Sequence, residues 1–160
     1  MKSLVAYASK TGVTRECAEK LAALLPECTL CDITNEKPDP NPYDIVVIGS
    51  CVRMGALQPA ALEYLDNCQP ILLNKVLGVF ICCASDSSEG KYISSALSPA
   101  LLEHSEVISF GGKLDPSAAR GFDRFLLKTL SRMAAKNGDE MLFHPERIPE
   151  FAAKLIERAG

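Results

Sequence analysis

The chain has no tryptophan, only two histidines, and no excess of positive charge. Its apolar runs all break well short of the roughly 20 residues that a membrane-spanning helix needs. A formal net charge of −3 argues against a general nucleic-acid binder. Lys2 is the only basic residue near the start and no small-residue cleavage site follows it, so no secretory leader is read. Seven cysteines are present, an odd number at scattered spacing, which suits reduced thiols rather than a disulfide framework. Cys28 and Cys31 form a CxxC. They fall in a strand-like segment, where positions three apart point to opposite faces. Zinc would need two further ligands at suitable spacing, and His104 and His144 both come late. The thiols therefore read as small apolar side chains. These features together lead to the expectation of a cytoplasmic protein.

What is present is a strongly patterned chain. With 160 residues, 48% of them hydrophobic and 23% charged, it is long enough and apolar enough for one globular domain spanning 1–160. Short, continuously apolar runs at 3–8, 29–33, 43–49, 76–83 and 106–110 read as strands buried on both faces. Between them, 14–25, 59–68, 92–103, 122–135 and 149–158 carry helical spacing. Pro26 stops the first helix, Pro59 sits near the start of the second, and Pro99 weakens the third. Strands alternating with helices predict an α/β fold: a parallel sheet covered on both faces.

In such sheets ligands bind beyond the carboxyl ends of the strands. After the first strand comes Ser9-Lys10-Thr11-Gly12-Val13-Thr14, then a helix. A helix start offers unpaired amides and partial positive charge, and small hydroxylated residues let the backbone wrap an anion. The spacing fits neither GxxxxGK[ST] nor GxGxxG. An ordinary helix cap by Ser9, Thr11 or Thr14 would use the same residue types. After the third strand, Gly49 and Gly55 bracket Ser50, Cys51, Val52, Arg53 and Met54, which permits close backbone approach or a plain turn. After the fourth comes a polar loop, Ala84-Ser85-Asp86 onward, ending in Tyr92.

The three loops in this order resemble the flavodoxin-like family. Its first loop has the form [ST]-x-T-G-x-T, matched at Ser9, Thr11, Gly12 and Thr14. The segments YDIVVIGSCVRMG, FDRFLLKTL and HPERIPEFAAKLI are further similar to its menaquinone-dependent protoporphyrinogen IX dehydrogenase branch. The resemblance implies a flavodoxin-like three-layer sandwich with a five-stranded parallel sheet in the order 2-1-3-4-5, and an extra helix before the C-terminal one. It implies FMN as cofactor, its phosphate held by Ser9, Lys10, Thr11, Gly12, Val13 and Thr14. Its ring would lie against Ser50, Cys51, Val52, Arg53, Met54, Gly55, Ala84, Ser85, Asp86 and Tyr92. It also implies an oxidoreductase passing electrons to a quinone or a partner protein, or a plain electron shuttle; a binding module that has lost flavin is the third reading. The short loop ASDSSEGKY is closer to ordinary flavodoxins, and Met54 stands where the branch usually carries an aromatic residue.

Two charged features refine the expectation. Arg53, if near the flavin, would stabilise its reduced, negatively charged form and raise its potential; pointing to solvent, it would do neither. Arg120, Arg124, Lys128, Arg132 and Lys136 recur every four residues, opposed only by Asp123. They read as a contact surface for an anionic membrane or acidic partner, at the inner face of the membrane, or as a solvated helix face.

Overall fold

The computed structural model describes residues 1–9, 12–83, 89–112 and 143–160. The expected helix at 122–135, with its basic residues Arg120, Arg124, Lys128, Arg132 and Lys136, lies outside the described residues. So do Lys10, Thr11, Ala84, Ser85 and Asp86.

Five strands and their hairpin arm form one sheet: β1 (Ser3–Ala8), β2 (Cys28–Asp32), β3 (Ile45–Arg53), β4 (Ala56–Leu57), β5 (Val76–Cys82) and β6 (Glu106–Ser109). The helices are α1 (Val13–Ala22), α2 (Pro59–Leu72), α3 (Glu89–Ala96), α4 (Pro99–His104) and α5 (Arg147–Ala159). The strand order is β2-β1-β3-β5-β6 with all four pairings parallel, and β4 folds back antiparallel onto β3. Leaving the arm aside, this is the expected 2-1-3-4-5 order.

Every residue of β1 is buried, as are the first six of β3, which is why these strands carry no alternation of polar residues. Odd positions of β3 (Ile45, Val47) and Phe80 of β5 pack with Cys17, Ala18 and Leu21 of α1 and Phe151, Ala152 and Leu155 of α5. Even positions (Val46, Ile48) pack on the other face with Ala61, Leu65 and Leu72 of α2 and Leu101 of α4. The described residues thus form three layers. Cys28 packs toward the first face and Cys31 toward the second, so the CxxC pair is divided by its own strand. All seven cysteines are free thiols.

Boundaries differ from the sequence expectation most at three places. α2 runs four residues past 68 and through Pro70. A proline in the final turn forfeits one backbone bond, while half-buried Cys68 and buried Leu72 continue the apolar stripe. The expected helix 92–103 is split in two. Ser98 Oγ accepts the Leu101 amide at 3.2 Å and Pro99 opens α4, a fresh helix start where one continuous helix was expected. β3 continues four residues past Gly49, turns at Met54 (φ 52°) and Gly55 (φ 77°), and returns as β4. Positive φ at both central residues matches the right-handed twist of a two-residue hairpin.

Gly49 is required by a close approach. A Cβ there would lie 2.1 Å from Cζ of Phe80, whose buried ring is held 5.1 Å from that of Phe110. At Gly78 the nearest atoms are the ends of Phe151 and Leu155, at 2.9 and 3.0 Å. Gly49→Ala is expected to cost about 2–3 kcal/mol from overpacking against a ring that cannot retreat. Gly78→Ala should cost less, because its neighbours are side-chain ends on a surface helix. Urea denaturation of the two variants checks the order.

Candidate functional site

β1 and β5 end at the level of residues 50 and 51 of β3, which runs on to Arg53. Ala8 pairs with Ser50, and Cys51 with Cys82. At the end of β1 the chain turns directly into α1. Gly12 is the N-cap residue, at φ 89°, with no side chain to cap the helix, and its own amide donates to Ser9 Oγ at 3.2 Å. The first helical bond runs from the Glu16 amide to the Gly12 carbonyl at 2.9 Å. The amides of Val13, Thr14 and Arg15 precede it and have no acceptor within an α-helix. A Cβ at Gly12 would meet nothing within 4 Å, so what bars other residues there is the left-handed backbone rather than space.

Thr14 is fully buried, and its Oγ1 has no hydrogen-bond partner among the described residues. The hydroxyl leans toward the Cys82 sulfur without reaching hydrogen-bond geometry. A buried hydroxyl normally finds a partner. One left open at a helix start, beside unpaired amides, fits an anionic ester oxygen. Among the described residues, then, Ser9, Gly12, Val13 and Thr14 stand together at the start of α1, and neither Ser9 nor Thr14 caps the helix. Val13 supplies an amide, while its half-buried side chain packs toward the α1 core.

Ser50 is almost fully buried and already engaged. Its hydroxyl accepts the Gln58 amide at 2.9 Å and donates to the Cys51 carbonyl at 2.9 Å. That ties the end of β3 to the start of α2, so the side chain shapes the site from beneath. Val52 likewise packs inward, against Leu57 and Ile81. Strand alternation puts Cys51 and Arg53 on the α1 side, both half-buried. Met54, at the hairpin tip, is 77% exposed. Tyr92 is half-buried with its ring against Gly55, so α3 meets the hairpin there. Gln58 was not singled out from the sequence; only its place before Pro59 marks it as a helix cap.

One further proximity had no sequence signal. Cys17 of α1 and Cys82 of β5, 65 residues apart, place their sulfurs 3.8 Å from each other inside the protein. The neighbouring Cys17 sulfur and burial push the Cys82 thiol well above the usual cysteine range. Among the described residues no cluster of three histidine, cysteine or acidic side chains is arranged to hold a metal, and no helix is long and apolar enough to cross a membrane.

Comparison with known proteins agrees with this fold. Protoporphyrinogen IX dehydrogenase [quinone] of Escherichia coli strain K12 is 26% identical over 172 aligned positions, covering 97% of this chain and 94% of the relative. Among solved structures, oxidised flavodoxin 1 from Bacillus cereus superposes with a TM-score of 0.62 at 20% identity, covering 98% of each chain. A Fusobacterium nucleatum flavodoxin bound to flavin mononucleotide superposes with a TM-score of 0.59 at 11% identity, covering 99% of each chain. The flavodoxin domain family model matches residues 4–140, most of the length, and the chain therefore belongs to the flavodoxin domain family.

Proposed function

We propose that the protein binds FMN non-covalently and works as an oxidoreductase, passing electrons from a reduced substrate to a quinone or protein acceptor. The observation that carries the reading is Thr14: a fully buried hydroxyl with no partner among the described residues, at the first turn of a glycine-capped helix. The phosphate monoester of FMN is an anion of the right size and charge for that corner. Family membership and the flavin-bound neighbour support the same cofactor. When bound, FMN supplies the capacity to take up and release electrons; the protein sets position and potential.

The chain's own residues then have distinct tasks. Gly12 admits the phosphate to the backbone, and the amides of Val13 and Thr14 with the Thr14 hydroxyl hold it. Lys10 and Thr11 complete the loop. Met54, Gly55 and Tyr92 form one wall for the flavin ring, with Cys51 and Val52 at its root; Ala84, Ser85 and Asp86 are the further residues that the family resemblance assigns to the ring. Arg53, projecting from the arm on the α1 side, raises the potential by favouring the negatively charged reduced flavin. The relative's name supports protoporphyrinogen as reduced substrate and a quinone as acceptor. The basic residues from Arg120 to Lys136 would then bring the protein to the anionic face of a quinone-bearing membrane.

Three measurements test this. Thr14→Val should weaken FMN binding roughly 10- to 100-fold, the worth of one hydrogen bond to a charged group, while leaving apo-protein stability unchanged or slightly higher. Fluorescence quenching on titration with FMN, paired with thermal unfolding, reads both. Arg53→Gln should lower the two-electron potential by roughly 20–60 mV, since about 30 mV corresponds to 1.4 kcal/mol for such a couple. An unchanged potential in a dye-equilibrated titration would remove Arg53 from the account. Finally, the FMN-loaded protein should oxidise protoporphyrinogen with a menaquinone analogue as acceptor. Reduction only by a partner reductase would leave a plain electron shuttle, the role that the full-length fit to flavodoxins supports.

A further inference from the structure

Three cysteines lie on one side of the sheet near its carboxyl edge, beneath the start of α1. Cys17 lies on α1, three residues after Thr14. Cys82 closes β5, its sulfur 3.8 Å from that of Cys17. Cys51 is the register partner of Cys82 across the parallel pair β3–β5, on the same face, and is half-buried where the other two are buried. Adjacent strands run about 4.8 Å apart, inside the Cα range that a disulfide accepts.

We propose that Cys17 and Cys82 are a dithiol–disulfide pair, loaded through Cys51, whose oxidation loosens the anion cradle. The part concerning the cradle rests on the FMN reading; the disulfide itself does not. The oxidant is a low-molecular-weight disulfide, RSSR. The Cys51 thiolate attacks one of its sulfurs and expels RS⁻. Cys82 attacks the Cys51 sulfur, displacing the second RS⁻, which takes the Cys82 proton. Cys17 then attacks Cys82, and its proton passes to the departing Cys51 thiolate. In sum, two protein thiols become one disulfide and RSSR becomes two RSH. The high pKa of Cys82 and the complete burial of Cys17 protect both from direct attack, which makes the more exposed Cys51 the point of entry.

The structural consequence follows from distance. A disulfide needs its sulfurs about 2.05 Å apart. Closing a 3.8 Å gap draws Cys17, just past the first turn of α1, and the end of β5 together, beside the place where the Thr14 hydroxyl leans on Cys82. Hydrogen bonds from that turn to a bound anion weaken steeply with such a displacement.

The test uses the full chain without flavin, treated with glutathione disulfide, then alkylated, digested and analysed by mass spectrometry. The expected product is a cross-link between the peptides carrying Cys17 and Cys82. Cys83→Ala should retain it, Cys17→Ala and Cys82→Ala should lack it, and Cys51→Ala should form it at least ten times more slowly. The wild-type protein, cross-linked and then re-reduced with dithiothreitol, is titrated with FMN in each state. The dissociation constant should rise at least fivefold on oxidation and return on reduction, a comparison that needs no variant. Absence of the cross-link, or a cross-linked protein with unchanged FMN affinity, overturns the proposal. Failure of the reduced protein to bind FMN overturns the cofactor reading and the switch with it, while the cross-link stands or falls on mass alone.

Discussion

The parallel register of β1, β3 and β5 is the constraint on which the rest depends. These strands are buried on both faces, so their backbone bonds are spent on one another and their side chains on packing. Their buried stretches leave no room for polar function, which falls to their carboxyl-terminal residues. Register pairs Ala8 with Ser50 and Cys51 with Cys82, which brings the ends of β1 and β5 to the level of residues 50 and 51 of β3. The chain can place unpaired amides, hydroxyls and charges close together only along that edge.

Much of this was legible in the sequence because the physics is local. Five continuously apolar runs separated by helical spacing determine a covered parallel sheet, and right-handed crossovers leave few orders for the strands. The cluster of small and hydroxylated residues after β1 marked the turn into α1, since glycine at φ 89° and a threonine in the first helical turn are local requirements. The hairpin arm was less legible. Gly55 signalled a turn, but its partner at the tip is Met54, a residue that turn propensities do not favour at positive φ. Ser50 read as a ligand-facing hydroxyl, yet its bonds to Gln58 and Cys51 depend on where α2 begins in space. The meeting of Cys17 and Cys82 was beyond reach for the same reason, being a product of layer packing between residues far apart in the chain.

The site also separates two kinds of work. The anion corner is rigid. Its glycine sits in a strict backbone conformation, its threonine is buried, and α1 is held by the core beneath it. The wall formed by Met54 and Tyr92 is more exposed and more lightly packed. A cofactor held by its ester and touched along its ring would be fixed at one end and adjustable in environment at the other. Under the proposed cofactor reading, binding strength and redox potential are therefore governed by different residues.

The arm beyond Gly49 carries this division into the sheet itself. It prolongs a central strand without interruption, so its root has the stiffness of the core. Among the described residues its far end is fastened by the pairings of Val52 with Leu57 and Arg53 with Ala56, and by the Tyr92 ring beside Gly55. A stiff lever with a lightly moored tip lets the chemistry at residues 53, 54 and 56 drift over evolutionary time while the strand alignment beneath stays put, so relatives of one architecture can come to serve unlike electron donors.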